Sequence, residues 1–314
     1  MRRALVTGGA GFIGSNLADA LLARGVEVVV YDNFSTGRRE FVPAQAELVE
    51  ADVLDRDALT AAMAGCDTVF HLQANADVRH GLERPRVDLE QNTIATSNVL
   101  EAMRAVGATR IAFSSTGSVY GEPEVFPTPE DAPFPVQTSL YAASKLAGEG
   151  LIGAYAHGFG FTGVVFRFVS ILGARYTHGH VIDFFRALKA DPTRLRVLGD
   201  GRQRKSYLYV EDCVRAILTA LDAAEPGLEV YNLGTDESIV VNESIGVICG
   251  QLGVEPVLEH TGGVRGWAGD SPLIHLDTAK IRALGWEPTV GIRDAVIKTL
   301  EWLEAHPKIV QEAR

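Results

Sequence analysis

The stretch VTGGAGFIGS, Val6–Ser15, decides the fold of this chain. It follows a short β-rich run, Arg3–Thr7, and opens an amphipathic segment, Phe12–Arg24. Its glycines are spaced G-x-G-x-x-G from Gly9, which permits a tight turn, close approach of the backbone to a pyrophosphate, and close packing of a helix on a strand. The free N–H groups at the start of the helix suit an anion. The stretch therefore predicts a strand, a turn and a helix that together hold a dinucleotide.

A glycine motif alone also occurs in simple tight turns, so a second residue has to support the dinucleotide. Asp32 ends the next predicted strand, at about the 20-residue offset expected of a carboxylate that binds an adenosine ribose. The two features together favour a cofactor site over a bare turn. The carboxylate favours NAD over NADP because it repels a 2′-phosphate. We interpret Arg38 and Arg39 nearby as solvated loop residues.

β-rich runs alternate with amphipathic segments through the first half of the chain. The runs are Arg3–Thr7, Val26–Tyr31, Glu47–Ala51, Thr68–Leu72, Arg110–Ser115 and Gly163–Phe168, and the segments are Phe12–Arg24, Asp55–Met63, Asp88–Val106 and Ser139–His157. This alternation predicts an α/β fold with a doubly wound parallel sheet, a Rossmann fold. After Ser170 the order weakens. We expect an NAD-binding domain over residues 1–169 and a smaller α/β substrate lobe, mainly 170–314, with segments near 207–233 returning to the first domain.

Composition and charge exclude several classes of function. The 314 residues are 46% hydrophobic and 22% charged, an ordinary globular balance. A formal net charge of -11 with scattered basic residues argues against a nucleic-acid partner. No stretch is long enough to span a bilayer, and the first apolar run is too short for a signal peptide. The cysteines Cys66, Cys213 and Cys249 stand far apart, so we expect a cytoplasmic protein without disulfides or a metal site.

A second group of residues carries chemistry. Tyr141 and Lys145 are four residues apart on a predicted helix, which puts the phenol and the ammonium on one face. Alone, such a pair is more often a surface pair without function. The strand Arg110–Ser115, however, leads into Thr116 at the edge of the sheet where ligands bind. A strand-end hydroxyl, a phenol whose pKa a neighbouring ammonium lowers, and a bound dinucleotide together predict an alcohol–ketone redox site.

The chain as a whole resembles the extended short-chain dehydrogenases/reductases, and within them the sugar-nucleotide epimerases similar to UDP-galactose 4-epimerase. The resemblance covers nearly the whole chain. It rests on TGGAGFIGS, DNFSTG from Asp32, ADV at 51–53, FHL at 70–72, SSTGSVYG from Ser114, YAASK from Tyr141, SYLYVED from Ser206 and RGWAGD from Arg265. These motifs are specific for the fold and the cofactor, and less specific for the substrate.

The resemblance implies NAD as a resident cofactor and Thr116, Tyr141 and Lys145 as the catalytic residues. It also implies a set of residues that line the cofactor site: Gly8, Gly11, Phe12, Ile13, Gly14, Asp32, Asn33, Ser35, Thr36, Gly37, Asp52, Val53, Leu72, Gln73, Ala74, Asn92, Tyr141, Lys145 and Val169. Gln73 departs from the small residue that the family usually carries there.

For the substrate, the resemblance implies a UDP-sugar. Its contacts are Thr116, Ser170, Val181, Arg196, Leu198, Lys205, Arg265 and Asp270. Arg265 and Lys205 would neutralise the diphosphate, and a guanidinium suits that task because it binds phosphate oxygens bidentately. The main chain along Arg196–Leu198 would contact the uracil, and Asp270 would lie near the ribose. Ser170 stands where the family usually has Asn, so one substrate hydrogen bond is lost or passes through water.

The reaction type follows from two small residues. Dehydratases and decarboxylases of this superfamily carry an acidic residue beside the catalytic threonine, where this chain has Gly117 and Ser118. We therefore expect 4-epimerisation of UDP-glucose and UDP-galactose by transient oxidation at C4. The alternatives are a nucleotide-sugar dehydratase or decarboxylase, a 4-epimerase of UDP-glucuronate or UDP-N-acetylhexosamine, and a dinucleotide sensor without catalysis.

Two further expectations concern selectivity and assembly. The stretch from Gly173 to His178 holds Arg175 but lacks the second arginine with which relatives steady a glucuronate, which favours neutral hexoses. Ile274 falls at the family's gate position, where bulk disfavours an N-acetyl group. The resemblance also implies a homodimer through the segments Asp88–Val106 and Ser139–His157. Their alanines, Ala95, Ala102, Ala142 and Ala147, would allow close helix packing.

Overall fold

The computed structural model describes residues 1–75, 80–134, 136–266 and 273–312. The strands in these ranges are β1 (Arg3–Thr7), β2 (Glu27–Asp32), β3 (Glu47–Glu50), β4 (Thr68–His71), β5 (Arg110–Thr116), β6 (Thr162–Phe168), β7 (Ser170–Leu172), β8 (Arg194–Val197), β9 (Arg204–Lys205), β10 (Tyr207–Tyr209), β11 (Gly227–Leu233), β12 (Ile239–Val240), β13 (Val257–His260) and β14 (Leu273–Ile274).

The α-helices in the same ranges are α1 (Phe12–Ala23), α2 (Arg56–Ala62), α3 (His80–Glu83), α4 (Arg86–Asp88), α5 (Ala95–Val106), α6 (Leu140–Phe159), α7 (His180–Ala190), α8 (Val210–Ala223), α9 (Val241–Leu252), α10 (Ala279–Arg282), α11 (Ile292–Ala305) and α12 (Pro307–Glu312). A π-helical segment, Leu89–Ile94, joins α4 to α5. Short 3₁₀ turns lie at Arg39–Phe41 and Gly117–Tyr120.

Seven strands form the central sheet in the order β11-β6-β5-β4-β1-β2-β3, and every neighbouring pair is parallel. The chain moves outward from β1 to β3 on one side and from β4 to β11 on the other. The direction therefore reverses between β1 and β4, whose last residues, Thr7 and His71, are register partners. Open α/β sheets bind ligands in the crevice at the carboxyl ends of their strands beside such a reversal.

Successive side chains of each strand enter different cores, because a strand's side chains alternate between the two faces of the sheet. Ala4 and Val6 join a core with Leu17 of α1 and residues of α8. Leu5, between them, joins a core built with α2, α5 and α6. Helices thus cover both faces, so the predicted doubly wound parallel sheet is present.

The smaller lobe has a core of its own, in which α7, α9 and α11 pack together. In this lobe β8 pairs with β13 in parallel, and β9 lies between β12 and β14. Lys205 of β9 is the register partner of Ile274 in β14. The pairing of β9 with β14 brings together residues that are about seventy positions apart in sequence, at the segments predicted to bind substrate.

The predicted elements of the first half agree with the structure to within two residues at each end, with one exception. Two helices begin one residue later than predicted because the preceding polar residue caps them: Asp55 accepts from the Ala58 amide and Ser139 from the Ala142 amide. The exception is Asp88–Val106, predicted as one helix, which is divided among α4, the π-helical segment and α5. The seventh strand, β11, was not predicted as a strand.

Candidate active site

The glycine turn lies between β1 and α1. Gly8 adopts a left-handed φ of 68°, and its amide donates to the Tyr31 carbonyl at 2.9 Å. The Gly8 carbonyl accepts from the Gly11 amide at 3.0 Å, which closes the turn. A Cβ atom at Gly14 would lie 2.2 Å from the Gly8 oxygen, so the turn and the helix are in contact. The first turn of α1 has no acidic residue, which leaves it suited to a pyrophosphate.

Asp32, the last residue of β2, lies over this turn and is 7% exposed. Its two oxygens accept from the amides of Ala10, at 3.0 Å, and Phe34, at 2.8 Å. Burial raises the pKa of this carboxyl, and the two amides oppose that rise. A Cβ atom at Gly37 would lie 2.7 Å from Asp32 Oδ1, so a larger residue there would displace the carboxylate. The turn and the carboxylate together fit a dinucleotide with an unphosphorylated ribose.

The loop after β2 and the loop after β3 are tied together. The side-chain amide of Asn33 donates to Asp52 Oδ2 at 2.8 Å, and the backbone amide of Ser35 donates to Asn33 Oδ1 at 3.0 Å. Val53 is buried, and its carbonyl accepts from the side chain of Asn98 at 3.1 Å. The structure thus brings together a group of residues predicted for the cofactor's adenosine end: Asp32, Asn33, Ser35, Thr36, Gly37, Asp52 and Val53.

The segment after β4 contacts the glycine turn from the other side. A Cβ atom at Gly8 would lie 2.9 Å from the Cα of Gln73. Gln73 is partly buried, and its side-chain nitrogen donates to Gln91 Oε1 at 2.7 Å. Asn92 is 1% exposed and uses its amide inside the protein, donating to Ser144 Oγ and accepting from the Asn75 amide, both at 2.8 Å. Asn92 therefore holds the loop after β4 against α6.

Thr116, Tyr141 and Lys145 meet at the carboxyl end of β5. Thr116 is the last residue of that strand, and its hydroxyl is hydrogen-bonded to the side chain of Tyr141 in the first turn of α6. One turn further along α6, Lys145 is 1% exposed, and its Nζ donates to the Ser114 carbonyl at 2.8 Å. The helix thus presents the phenol and the ammonium to one strand end, as the spacing of four predicts.

The charges at this site differ from the sequence expectation. Burial, followed by the Asp88 carboxylate, raises the pKa of Tyr141 to about 12, and the hydrogen bond from Thr116 opposes the rise. Burial lowers the pKa of Lys145 to about 7, against the carboxylates of Glu149 and Asp88. The expectation of a lowered Tyr141 pKa is therefore wrong for the protein without its cofactor. The reason is that burial has the largest effect on the phenol, while the Lys145 ammonium donates to the Ser114 carbonyl.

Gly117 and Ser118 occupy the positions at which dehydratases and decarboxylases would carry an acidic residue. A Cβ atom at Gly117 would lie 3.3 Å from Ile274 Cγ2, Leu276 Cδ1 and the Phe168 oxygen. The amide of Ser118 donates to Thr116 Oγ1 at 3.1 Å, and the two hydroxyls are 3.2 Å apart. An acidic side chain at 117 would therefore need its neighbours to move.

The residues predicted for substrate lie in several environments. Arg265 pairs with Glu122, in the loop after β5, at 2.5 Å. Ser170 is exposed at the start of β7, and Arg196 and Leu198 are exposed around the end of β8. Val181 is fully buried in the core of the lobe, so its side chain faces away from any ligand. Asp270 lies outside the described residues.

Sequence reasoning missed a buried group behind the catalytic helix. Glu149 pairs with Arg167 of β6 at 2.7 Å, and both side chains are less than a tenth exposed. The spacing of Glu149, four residues after Lys145, was the available signal. Within the described ranges, no cluster of His, Cys, Asp and Glu can hold a metal ion, and no helix is long and apolar enough to cross a membrane.

Known proteins share this sequence and fold. Residues 4–234 match the NAD dependent epimerase/dehydratase family. A UDP-glucose 4-epimerase of Mycolicibacterium smegmatis is 35% identical over 315 residues, which covers 96% of this chain and 98% of that protein. A solved UDP-galactose 4-epimerase is 40% identical with a TM-score of 0.88, covering 96% of this chain and 99% of its own. The Thermus thermophilus UDP-glucose 4-epimerase, solved in complex with NAD, is 34% identical with a TM-score of 0.87, over 97% and 99%.

The match extends over well more than half of the chain, and the similar structures have the same fold. These findings confirm the predicted fold class, the resemblance to sugar-nucleotide epimerases, and NAD as the cofactor of the family. They also confirm that the chain is an enzyme of this kind. From its sequence, its parallel sheet and its glycine turn, the chain belongs to the NAD-dependent epimerase/dehydratase family.

Proposed function

We propose that this enzyme is a 4-epimerase of UDP-hexoses, with UDP-glucose and UDP-galactose as its substrates. The observation that carries the proposal is the meeting of Thr116, Tyr141 and Lys145 at one strand end, beside a glycine where an acidic side chain would crowd its neighbours. Tyr141 accepts the proton of the sugar 4-hydroxyl, and Thr116, hydrogen-bonded to the phenol, bridges the two. In its protonated form Lys145, one turn further along α6, would favour the phenolate against the burial that raises the pKa of Tyr141.

When bound, NAD would supply the reversible two-electron redox chemistry at C4 of the sugar that inverts this carbon. The chain's own residues bind and orient it. Residues 1–169 would hold NAD, through the glycine turn, the carboxylate of Asp32, the loops after β3 and β4, and the end of β6 at Val169. A 2′-phosphate would meet a buried carboxylate at Asp32, which favours NAD over NADP.

Residues 170–314 would mainly hold the sugar nucleotide. Lys205 and Arg265 are the two cations proposed for the diphosphate: Lys205 lies on β9 beside β14, and Arg265 pairs with Glu122 in the loop after β5. A diphosphate would replace the Glu122 carboxylate as the partner of Arg265. Ser170, Arg196 and Leu198 are exposed and available to the rest of the nucleotide. Because the side chain of Val181 is fully buried, this residue could contact the nucleotide only through its main chain.

The first prediction tests the reaction class. We expect the purified protein, incubated with UDP-glucose and no added NAD, to produce UDP-galactose until an equilibrium is reached, because the cofactor is regenerated at each turnover. Product analysis by chromatography and mass spectrometry distinguishes an epimer from a dehydrated sugar. UDP-glucuronate, tested in parallel, reveals a decarboxylase by release of a UDP-pentose. A dehydrated or decarboxylated product, or no product from any UDP-sugar, contradicts the proposal.

The second prediction concerns the sugar. Arg175 pairs with Asp19 of α1 at 2.7 Å, so its charge is already committed, and an unpaired sugar carboxylate would be costly to bury. Ile274 lies against Gly117, beside the catalytic Thr116, which leaves limited room for an N-acetyl group. We expect kcat/KM for UDP-glucose to exceed that for UDP-glucuronate at least about tenfold, or about 1.4 kcal/mol, with UDP-N-acetylglucosamine in between. A tenfold preference for glucuronate would mean that His178 or main-chain donors near Thr116 bind the carboxylate.

The third prediction is a homodimer through α5 and α6, which pack side by side. The reason given from the sequence is wrong for three of the four alanines, because Ala95, Ala102 and Ala142 are fully buried within the protomer. Apolar side chains remain exposed on these helices and the segment before α5: Leu89, Ile94, Leu140 and Phe159. We expect light scattering at micromolar concentration to give the mass of a dimer.

A pair of variants locates the interface. Ile94→Glu should give monomers, because it places a charge on the proposed apolar contact. Val257→Glu on β13, at a side chain that is 68% exposed, is the matched control and should leave the mass unchanged. A monomer mass for the unmodified protein would overturn the prediction.

A further inference from the structure

A buried ionic group lies directly behind the catalytic helix. Arg167 of β6 donates to Glu149 of α6 through Nε, at 3.1 and 3.3 Å, and through Nη2, at 2.7 Å. Its Nη1 donates to the Tyr120 hydroxyl at 2.7 Å and to the Glu130 carbonyl at 2.9 Å. Arg167 is 3% exposed and Glu149 is 6% exposed. The pair is therefore nearly shielded from water, and its charges interact mainly with neighbouring protein groups.

The Glu149 carboxylate has a second partner, the hydroxyl of Ser115, which donates to Oε1. Ser115 is 2% exposed and immediately precedes Thr116 in β5. The hydroxyl of Thr116 in turn bonds the phenol of Tyr141. Glu149 thus holds the end of β5 at Ser115, next to Thr116. It does so from α6, the helix that also carries Tyr141.

Glu149 lies one turn after Lys145 on α6, and both residues are buried. Among the described residues, the charged and titratable groups around the Lys145 ammonium come from four elements: Tyr141 and Glu149 of α6, Asp88 of α4, His71 of β4, and Arg167 of β6 behind Glu149. His71 is neutral, because burial and then the Lys145 charge lower its pKa to about 3. Within the described part of the chain, the carboxylates of Glu149 and Asp88 therefore oppose the desolvation that favours a neutral lysine.

We propose that Glu149 is a positioning residue of the epimerase site: through Ser115 it holds Thr116 in line with Tyr141, and by its charge it favours the protonated form of Lys145. This inference rests on the proposed function, in which Lys145 must be a cation and Thr116 must bridge to the phenol. The two effects are separable, because Ser115 carries only the first and the carboxylate charge carries only the second.

Two variants separate the effects. Ser115→Ala leaves the ion pair in place, so the protein should fold, and kcat should fall about tenfold with KM within twofold and an unchanged pH profile. Glu149→Gln keeps an acceptor for Ser115 and removes the charge. Because a carboxylate favours the ammonium, its loss lets Lys145 release its proton at lower pH, and the alkaline limb of kcat/KM should move down by about one pH unit.

The charge effect also has a readout that needs no turnover. The side-chain nitrogen signal of Lys145, in protein labelled with ¹⁵N-lysine and assigned by its loss in Lys145→Met, should titrate at lower pH in Glu149→Gln than in the unmodified protein. Asp212→Asn is the matched control. Asp212 is a buried carboxylate, held by the amides of Thr289 and Val290, and it lies in another helix, α8. Its loss should lower the melting temperature and leave the profile and the Lys145 signal unmoved.

The outcomes are distinct. A shift in both the profile and the Lys145 titration, together with a lower kcat in Ser115→Ala, supports the proposal. Folded Glu149→Gln with an unmoved titration, or Ser115→Ala with unchanged kcat, overturns the corresponding part. If Glu149→Gln does not fold, Ser115→Ala still decides the positioning part. The charge part is then decided by comparing the Lys145 titration of Asp88→Asn with that of the unmodified protein. If the loss of Asp88 accounts for the whole effect of the carboxylates on that titration, the charge part is overturned. If the unmodified protein makes no epimer, the proposed function fails while the titration still tests Glu149.

Discussion

Replacing Tyr141 with phenylalanine is expected to lower kcat by about three orders of magnitude, the range in which a positioned proton acceptor contributes to catalysis. The phenol is the group that Thr116 bonds at the strand end, and phenylalanine keeps its ring while removing the hydroxyl. Thr116 and Lys145 cannot replace it, since the hydroxyl is a weak base and the lysine is buried against a carbonyl. Steady-state kinetics with UDP-galactose measures the loss.

The loss should be confined to the chemical step. Tyr141→Phe should keep its NAD content and melting temperature, because the phenol contributes one hydrogen bond at the edge of a helix that begins at a Ser139 cap. Tyr155→Phe is the matched control: it removes a hydroxyl from the same helix, one that donates to Glu101 and lies away from the strand end. Its kcat should stay within twofold of the unmodified protein. Activity of Tyr141→Phe comparable to this control would remove Tyr141 from the mechanism.

Local patterns explain how far the sequence could predict this fold. The strand before the glycine turn, the turn and α1 are set by neighbouring residues, so their bounds follow from the spacing of glycines and apolar residues. Asp32 was placed by its distance along the chain from the turn, and its amide partners are local: Ala10 lies in the turn and Phe34 lies two residues after Asp32. The helical spacing of Tyr141 and Lys145 likewise fixed a shared face.

Long-range contacts explain what the sequence could not predict. Arg167 and Glu149 lie on β6 and α6, and only their packing in the folded chain reveals that they pair. The strand β11 joins the sheet because β6 offers it a free edge, which no local pattern reports. Burial decided the charges in the same way: the pKa of Lys145 depends on how completely the fold encloses it. Residues that act through tertiary neighbours are therefore the ones that sequence reasoning missed.

Substituting Gly14 with alanine is expected to weaken NAD binding at least about a hundredfold, or about 2.7 kcal/mol. A Cβ atom there would lie 2.2 Å from the Gly8 oxygen and 2.9 Å from the Gly8 carbonyl carbon. Both are backbone atoms of a turn that hydrogen bonds to Tyr31 and Gly11 hold in place, so no flexible side chain can yield. The helix α1 must move outward, taking with it the N–H groups that would face the pyrophosphate.

The same displacement should lower the free energy of unfolding by about 1–3 kcal/mol, as overpacking does, because Leu17 and Leu21 of α1 are fully buried against the sheet. Gly246→Ala in α9 is the matched control, since a Cβ atom there meets nothing within 4 Å, and it should be neutral or stabilise the helix by up to about 1 kcal/mol. Mass spectrometry of the denatured supernatant reports the bound nucleotide, which should be NAD, and not NADP, in the unmodified protein and in Gly246→Ala, and nearly absent in Gly14→Ala. Full NAD content in Gly14→Ala would mean that the glycine turn is not where the pyrophosphate binds, and the assignment of Asp32 to the ribose would fail with it.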